Sequence, residues 1–352
     1  MKLVVFLDYL RKGGTERQAM AVANEAMRRG HQVTFLTIRP GGPFKGELKA
    51  PHVALQPFDT GIDEWAPGLE SVLKKISPGI VLCMGRVTNR MIKKLKRWVP
   101  KVVATFRTGK RVSRERLLSY GAADMILTNS LAWQNILMTM DCKTRIETVG
   151  NSLLMNPVPD DAARMLLRKK MGARADTVVV LCFQRLTPRK GQHVLMENFM
   201  CAAHDLDAQL WIVGKGWVGW LLGLYARVLG PGRIKVMPPE FPVSYYYNAA
   251  DAVATVSHED SLPNFLIEAH AFGLPGICED YAGCGEVIVG GITGFVVSVD
   301  NDAGYAVCLR QLILAPLLRK FLGDNARNLS FRFSHKKQMG RFIDLLEEVC
   351  RK

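Results

Sequence analysis

The run AVATVS (252–257) passes through Ser257-His258-Glu259-Asp260-Ser261-Leu262-Pro263-Asn264 into the helical pattern FLIEAHAFGLPG. A helix starting near Pro263 carries proline in its first turn, with Ser261 or Asp260 placed to cap it. The start of this helix, Ser261, Leu262, Pro263 and Asn264, with its free N–H groups (Pro263 has none) and the positive end of the dipole, suits an anion such as pyrophosphate. Glu268 lies one to two turns further in, where a carboxylate accepts two hydrogen bonds from a ribose diol. Asp260, at the mouth, reaches sugar hydroxyls. The plainer alternative is an ordinary capped helix with an incidental glutamate.

Two more segments have types and spacing that suit the same chemistry. Arg185-Leu186-Thr187-Pro188-Arg189-Lys190-Gly191 follows the apolar run TVVVLCF (177–183). Arg185 and Lys190 on one turn are two fixed cations for a departing diphosphate, whose negative charge grows as its bond to the sugar breaks. Arg189 is expected to face solvent. Lys12-Gly13-Gly14-Thr15 follows the first apolar run, and its glycines let backbone approach a sugar or phosphate closely before a helix begins. Alone, each is also what a solvated turn or an ordinary strand-to-helix connection contains.

Together these segments carry a family resemblance. The stretch SxxDSLPNxxxEAxAxGLP resembles the motif of two acids, separated by seven intervening residues, of the GT4-like retaining glycosyltransferases of the GT-B fold. Asp260 stands where that family usually has Glu, a shorter arm bearing on sugar preference. RLTPRKG is similar to the family's RLxxxKG loop, and Gly13-Gly14 to its short Gly-Gly loop. Ile212-Val213-Gly214 with Gly216, and Ala282-Gly283-Cys284-Gly285-Glu286-Val287-Ile288, resemble further family segments or are helix-capping turns. The resemblance implies Asp260, Arg185 and Lys190 as catalytic residues, and a donor site of Gly13, Gly14, Thr15, Arg185, Lys190, Asp260, Ser261, Leu262, Pro263, Asn264 and Glu268. One departure stands out: many relatives carry a His after the strand equivalent to VVATF, where this chain reads Arg107-Thr108-Gly109.

No cofactor or metal is expected. The histidines lack HExxH or other metal spacing. Asp300-Asn301-Asp302 superficially matches a metal-binding DxD, but its place between a strand and a helix makes N-capping the reading. Neither a GxSxG elbow nor a GxxxxGK[ST] loop occurs. No side chain is an obvious nucleophile, consistent with the resemblance, which implies that the donor phosphate accepts the acceptor's proton.

The elements that must position these residues alternate. Strands are expected at 2–7, 31–38, 79–85, 101–106 and 123–129, with a helix over 15–29. After Asn156-Pro157-Val158-Pro159 the pattern restarts, with strands at 177–183, 208–214, 233–237, 252–257, 276–280 and 294–299, then helices over 303–325 and 335–350. Short Val/Ile-rich runs separated by helices imply βαβ units and parallel sheets. The fold class expected is α/β, GT-B: two Rossmann-like doubly wound parallel-sheet domains facing a deep cleft. The domains are expected at 1–156 (acceptor side), 157–334 (nucleotide-sugar binding) and 335–352, a terminal helix packing back toward the first.

Composition bounds the rest. The chain has 352 residues, 48% hydrophobic and 22% charged, which suits two soluble α/β domains. Eight scattered cysteines without a CxxC pair favour free thiols in a reducing compartment. KLVVFLDYL reads as a strand, not a leader, and no run suits a membrane-spanning helix.

Charge is uneven: residues 1–150 hold 25 Lys and Arg against 12 Asp and Glu, and residues 151–352 hold 22 against 20. Residues 86–116 hold twelve Lys or Arg and one acid. There Met91, Ile92, Leu95, Trp98 and Val99 alternate with Arg90, Lys93, Lys94, Lys96 and Arg97, as in a basic amphipathic helix for an anionic membrane surface or a core-packed helix with a basic outer face. Arg107, Lys110 and Arg111 add to that face.

The expected function is retaining transfer from a nucleotide sugar, a UDP-sugar, to an anionic, lipid-linked or phosphorylated glycan acceptor in bacterial envelope synthesis. The expected location is cytoplasmic, peripheral on the inner membrane face. The alternatives are a GT-B-type epimerase, or a non-catalytic basic protein binding nucleic acid or a membrane. No nucleic-acid recognition motif is present, so nucleic acid is not an expected partner.

Overall fold

Runs of Val, Ile and Leu too short for a helix and apolar on both faces become inner strands of parallel sheets, covered by helices on each side. The computed structural model describes residues 1–109, 112–258, 260–281 and 283–351. It divides into two units, Met1–Leu154 with Phe333–Lys352, and Met155–Arg332.

In the first unit the strands are β1 (Lys2–Leu7), β2 (Gln32–Thr37), β3 (His52–Ala54), β4 (Ile80–Cys83), β5 (Lys101–Phe106), β6 (Met125–Thr128) and β7 (Ile146–Thr148). They form one sheet in the order β3-β2-β1-β4-β5-β6-β7, with every pair parallel. Helices α1 (Gly14–Arg28), α2 (Leu69–Ile76), α3 (Ile92–Leu95), α4 (Arg114–Tyr120) and α5 (Leu131–Thr139) connect them.

In the second unit β8 (Val178–Phe183), β9 (Ala208–Val213), β10 (Ile234–Met237), β11 (Ala252–Thr255), β12 (Gly276–Glu279) and β13 (Gly294–Val297) pair in the order β10-β9-β8-β11-β12-β13, again all parallel. The helices are α6 (Asp161–Lys170), α7 (Gln192–Ala203), α8 (Gly219–Leu229), α9 (Val243–Ala249), α10 (Asn264–Ala271), α11 (Cys284–Val287), α12 (Asp302–Leu314) and α13 (Pro316–Ser330). The helix expected over 303–325 is thus two. Pro316 supplies no N–H and opens α13 in its first turn, so the chain breaks at Ala315.

The chain then returns to the first unit as α14 (His335–Arg351), whose Met339, Phe342, Ile343, Leu346 and Val349 join the core under β1, β2 and α1. Arg29 pairs with Asp344 at 2.6 Å and His31 with Glu347 at 2.9 Å on the same seam.

Both sheets reverse direction of strand order at one place, between β1 and β4 and between β8 and β11. In such folds the crevice beyond the strand carboxyl ends at that reversal is where ligands bind.

Candidate functional site

The reversal in the second sheet is where the chemistry-bearing residues gather. Beyond β8, Gln184 donates from Nε2 to Thr255 Oγ1 at 3.0 Å and to Asp260 Oδ2 at 3.1 Å. A single 3₁₀ turn, Pro188–Lys190, brings Lys190 inward. Its side chain is only 6% exposed, with Nζ 2.5 Å from Asp260 Oδ1. Gly191, at φ +64, ends the turn against Val256, whose carbonyl oxygen would lie 2.8 Å from a Cβ there. Position 191 therefore needs glycine for both its conformation and its space. Arg185 and Arg189 are exposed. The Arg185 carbonyl accepts from Gln192 Nε2 at 2.8 Å, which holds the loop to α7.

Asp260 does not cap α10. The helix starts at Asn264 with Pro263 as its cap residue and no side-chain cap bond, because the Asp260 carboxylate is engaged by Lys190 and Gln184. Ser261, Leu262 and Pro263 are buried at that end and Asn264 is half-buried. Glu268 lies one turn on, half-buried, and its Oε2 accepts from the buried Tyr247 hydroxyl at 2.7 Å. The structure thus brings Lys190 and Asp260 into direct contact, with Arg185, the start of α10 and Glu268 on segments that follow β8 and β11.

The thiols nearby, Cys182, Cys278 and Cys284, are buried. Burial pushes Cys182 up to about 12, and Cys284 is raised by its hydrogen bond to Cys278 and by burial.

Beyond β11, β12 and β13, His258 Nε2 and Glu279 Oε2 share a hydrogen bond of 2.7 Å, and the Asp300 N–H donates to Glu279 Oε1 at 3.4 Å. One ligand atom each from His258, Glu279 and Asp300 lies within 4.8 Å of the others. This is the only such group among the described residues, and no sequence spacing announced it. Asn301, between the two aspartates, caps α12 by accepting from the Gly304 N–H at 3.0 Å, as read from the sequence. Asp302 accepts from Asn198 at 2.8 Å.

In the first unit, Gly13 precedes α1 as its cap residue, with Gly14 and Thr15 in the first turn. Asp8, beyond β1, is 5% exposed and accepts from the backbone N–H groups of Val87 and Thr88 at 3.2 and 3.1 Å. Burial raises its pKa against those bonds. This buried carboxyl was not singled out in the sequence; a lone Asp closing an apolar strand was the available signal. Beyond β5, Arg107 is half-buried and donates to Asn151 Oδ1, which also accepts from Asn129 at 3.2 Å. Burial pulls Arg107 down to about 10. No carboxylate among the described residues forms an ion pair with it, so a neutral amide is all that compensates its charge.

The basic segment differs from the amphipathic membrane helix entertained for it. A 3₁₀ turn (Thr88–Met91) runs into the four-residue α3, and Ile92, Leu95 and Val99 are buried. The apolar side is consumed by the core of this unit, so the plainer reading holds for it. Lys93, Lys94 and Arg97 remain outward, Trp98 is half-buried under Lys94, and Lys96 pairs with Asp124 at 2.8 Å. Arg90 lies 4.0 Å from Glu64. Lys110 and Arg111 fall outside the described residues.

One histidine in α10 carries a pH dependence. His270 is 1% exposed, its Nε2 has no partner, and burial, then Arg332, pulls it down to about 3. The unfolded chain protonates this ring near 6.5 while the folded one resists, so its contribution is intact above that pH and is lost as pH falls toward 3. Stability is expected to drop by up to about 1.4 kcal/mol per pH unit within that window. Melting temperatures from pH 7 to 4 check this: His270→Leu should flatten the slope, and equal slopes would refute it.

Known proteins resemble this chain along its whole length. The family described as Glycosyltransferase Family 4 matches residues 12–153, and that described as Glycosyl transferases group 1 matches residues 164–329. The D-inositol 3-phosphate glycosyltransferase of Actinosynnema mirum is 30% identical over 173 residues, 45% of this chain. The match spans 41% of that relative, under half its length. The lipopolysaccharide core biosynthesis glycosyltransferase LpsE of Rhizobium meliloti is 23% identical over 97% of this chain and 98% of its own. The crystal structure of Anabaena Alr3699/HepE in complex with UDP-glucose superposes with a TM-score of 0.82 at 19% identity, over 99% of this chain and 100% of that one.

Proposed function

The chain belongs to the GT4-like glycosyltransferases of the GT-B fold, and from that premise we propose that it transfers a hexosyl group from a UDP-sugar, with retention and without a metal, to an anionic lipid-linked or phosphorylated glycan acceptor in bacterial envelope polysaccharide or lipopolysaccharide synthesis. The ion pair of the buried Lys190 with the half-buried Asp260 beside the start of α10, at the sheet's reversal, is the observation that carries this reading.

In the reaction, the bond between the sugar's anomeric carbon and the diphosphate breaks and the acceptor oxygen bonds to the same face. The leaving phosphate oxygen takes the acceptor's proton, so no protein nucleophile is needed. Lys190 and Arg185 offset the charge developing on the diphosphate, together with the N–H groups opening α10. Glu268, held by Tyr247, meets the ribose diol, and Asp260 meets hydroxyls of the transferred sugar. Arg107, a cation met among the described residues by the neutral amide of Asn151, suits an anionic acceptor, and Gly13, Gly14 and Thr15 allow close backbone approach in the same unit. Among the described residues no helix is long and apolar enough to cross a membrane. The reading places the protein peripherally on the inner face of the cytoplasmic membrane.

The test is a melting-temperature panel of UDP, GDP, ADP and CMP, free and sugar-linked, in EDTA. A ligand specific for the folded state raises the melting temperature with the logarithm of its saturation. UDP and a UDP-sugar are expected to stabilise the chain in EDTA, and Asp260→Ala/Glu268→Ala to lose the effect. Stabilisation only after divalent metal is restored would overturn the metal-free reading and turn attention to His258, Glu279 and Asp300. No shift with any nucleotide would overturn the donor site.

A further inference from the structure

The two tryptophans most open to solvent among the described residues lie in the second unit. Trp217 and Trp220 are 73% and 74% exposed, Val228 is 77% exposed, and Leu221 and Leu224 are each more than half exposed. At about 100° per residue, Trp220, Leu221, Leu224 and Val228 share an arc of roughly 100° on α8. Leu222 and Ala226, on the opposite side, are buried and anchor the helix to its own unit. The outward stripe therefore has no role in the core of this unit, and a contiguous apolar ridge left in water marks an interaction surface.

Charge selects the partner. Residues 208–239 contain Lys215, Arg227, Arg233 and Lys235 and not one Asp or Glu. Arg227 is exposed at the edge of the stripe, and Lys215 is exposed just before Trp217. Tryptophans beside aliphatic side chains, bordered by Lys215 and Arg227 and with one acid at the helix flank, Glu197 on the Tyr225 hydroxyl, match the interface of an anionic bilayer, where indole rings sit at the headgroups.

We propose that α8 with Trp217 is a membrane-docking surface, lying in the plane of an anionic lipid leaflet with Trp217, Trp220, Leu221, Leu224 and Val228 inserted and Lys215 and Arg227 on the headgroups. This deepens, and rests on, the lipid-side acceptor reading above. It replaces the segment around α3, whose apolar side is spent, with a helix whose apolar side is open. The same helix is tied to the donor loop: the Leu186 N–H donates to the Lys215 carbonyl at 3.0 Å, and Leu186 packs against Gly219. Docking would hold the Arg185–Lys190 loop close to the lipid surface.

The experiment is co-sedimentation of the full chain with phosphatidylcholine vesicles, with and without phosphatidylglycerol, alongside light scattering and the nucleotide melting shift. Binding is expected only to the anionic vesicles, and Trp220→Ser/Leu224→Ser should weaken it at least about tenfold. Arg227→Glu should weaken it severalfold, while Lys93→Glu/Lys94→Glu should weaken it less than either. All these variants should keep the nucleotide shift of the parent, which shows them folded. Absence of binding, or binding unchanged in Trp220→Ser/Leu224→Ser, would overturn the proposal. So would a parent dimer that this variant renders monomeric, since the stripe would then bind a second copy. Loss of the nucleotide shift in the parent, with vesicle binding through α8 intact, would instead count against the donor reading alone.

Discussion

Replacing Lys190 with alanine is expected to lower sugar transfer by about a hundredfold or more, the scale for a preorganised charge facing a developing anion. Lys190 is nearly enclosed and its ammonium meets Asp260 at 2.5 Å, so in the proposed reaction one side chain would both offset the diphosphate and hold Asp260. Its removal leaves Asp260 hydrogen-bonded to Gln184 in the loop before α7. Breaking a fully buried pair this way costs about 3–5 kcal/mol; with Asp260 19% exposed, water screens part of that and roughly 1–3 kcal/mol is expected. Lys190→Ala/Asp260→Ala should then be no less stable than Lys190→Ala, because the stranded charge is gone. Steady-state rates and urea midpoints for the three variants check this. A rate loss under threefold, or additive stability losses, would contradict it.

The second large effect concerns Gly214 and Gly216, which follow β9. A Cβ on Gly214 would stand 1.8 Å from the Gln184 carbonyl oxygen, and one on Gly216 would stand 1.8 Å from that of Leu186. Both obstacles are backbone, so the loop bearing Arg185 must move. Gly216→Ala is expected to cost about 1–3 kcal/mol, the range for forced overpacking. It should also abolish the nucleotide-dependent melting rise, since the displaced loop no longer presents Arg185 and Lys190. Gly223, within α8, has open space around its Cβ position. Gly223→Ala should leave nucleotide binding alone and raise stability by up to about 1 kcal/mol. Equal behaviour of the two variants would show that the close approach is not what position 216 requires.

These residues also show what the sequence disclosed and what it withheld. The inner strands were readable because burial on both faces demands uninterrupted Val, Ile and Leu: β1 and β5 fall on the expected residues, and all six strands of the second sheet are present. The edge strands β3 and β7 were missed. Each has three half-buried residues and no apolar run, and they are strands only because a neighbour offers a ladder. The RLTPRKG and DSLPN segments announced themselves by composition, but their mutual contact did not. Lys190 and Asp260 are 70 positions apart, and the capping role expected for Asp260 lost to a buried cation invisible in local sequence. For α3 the alternation of Lys with Ile and Leu was real. It described a core-facing turn, and only the packing of Ile92 and Leu95 decides between that and a membrane face. The reverse holds for α8, a stretch the sequence reading passed over and whose outer apolar stripe is exposed.

The return of α14 to the first unit has a consequence for synthesis. On the ribosome, the first 154 residues emerge with a sheet whose covering helix is still 180 residues away. The second unit is contiguous and is released whole before α14 appears, so it is the first part of the nascent chain able to seal its own core. The N-terminal strands must stay unsealed, and open to holding chaperones, until Met339, Phe342 and Leu346 arrive to cover them. The part made first is therefore finished last.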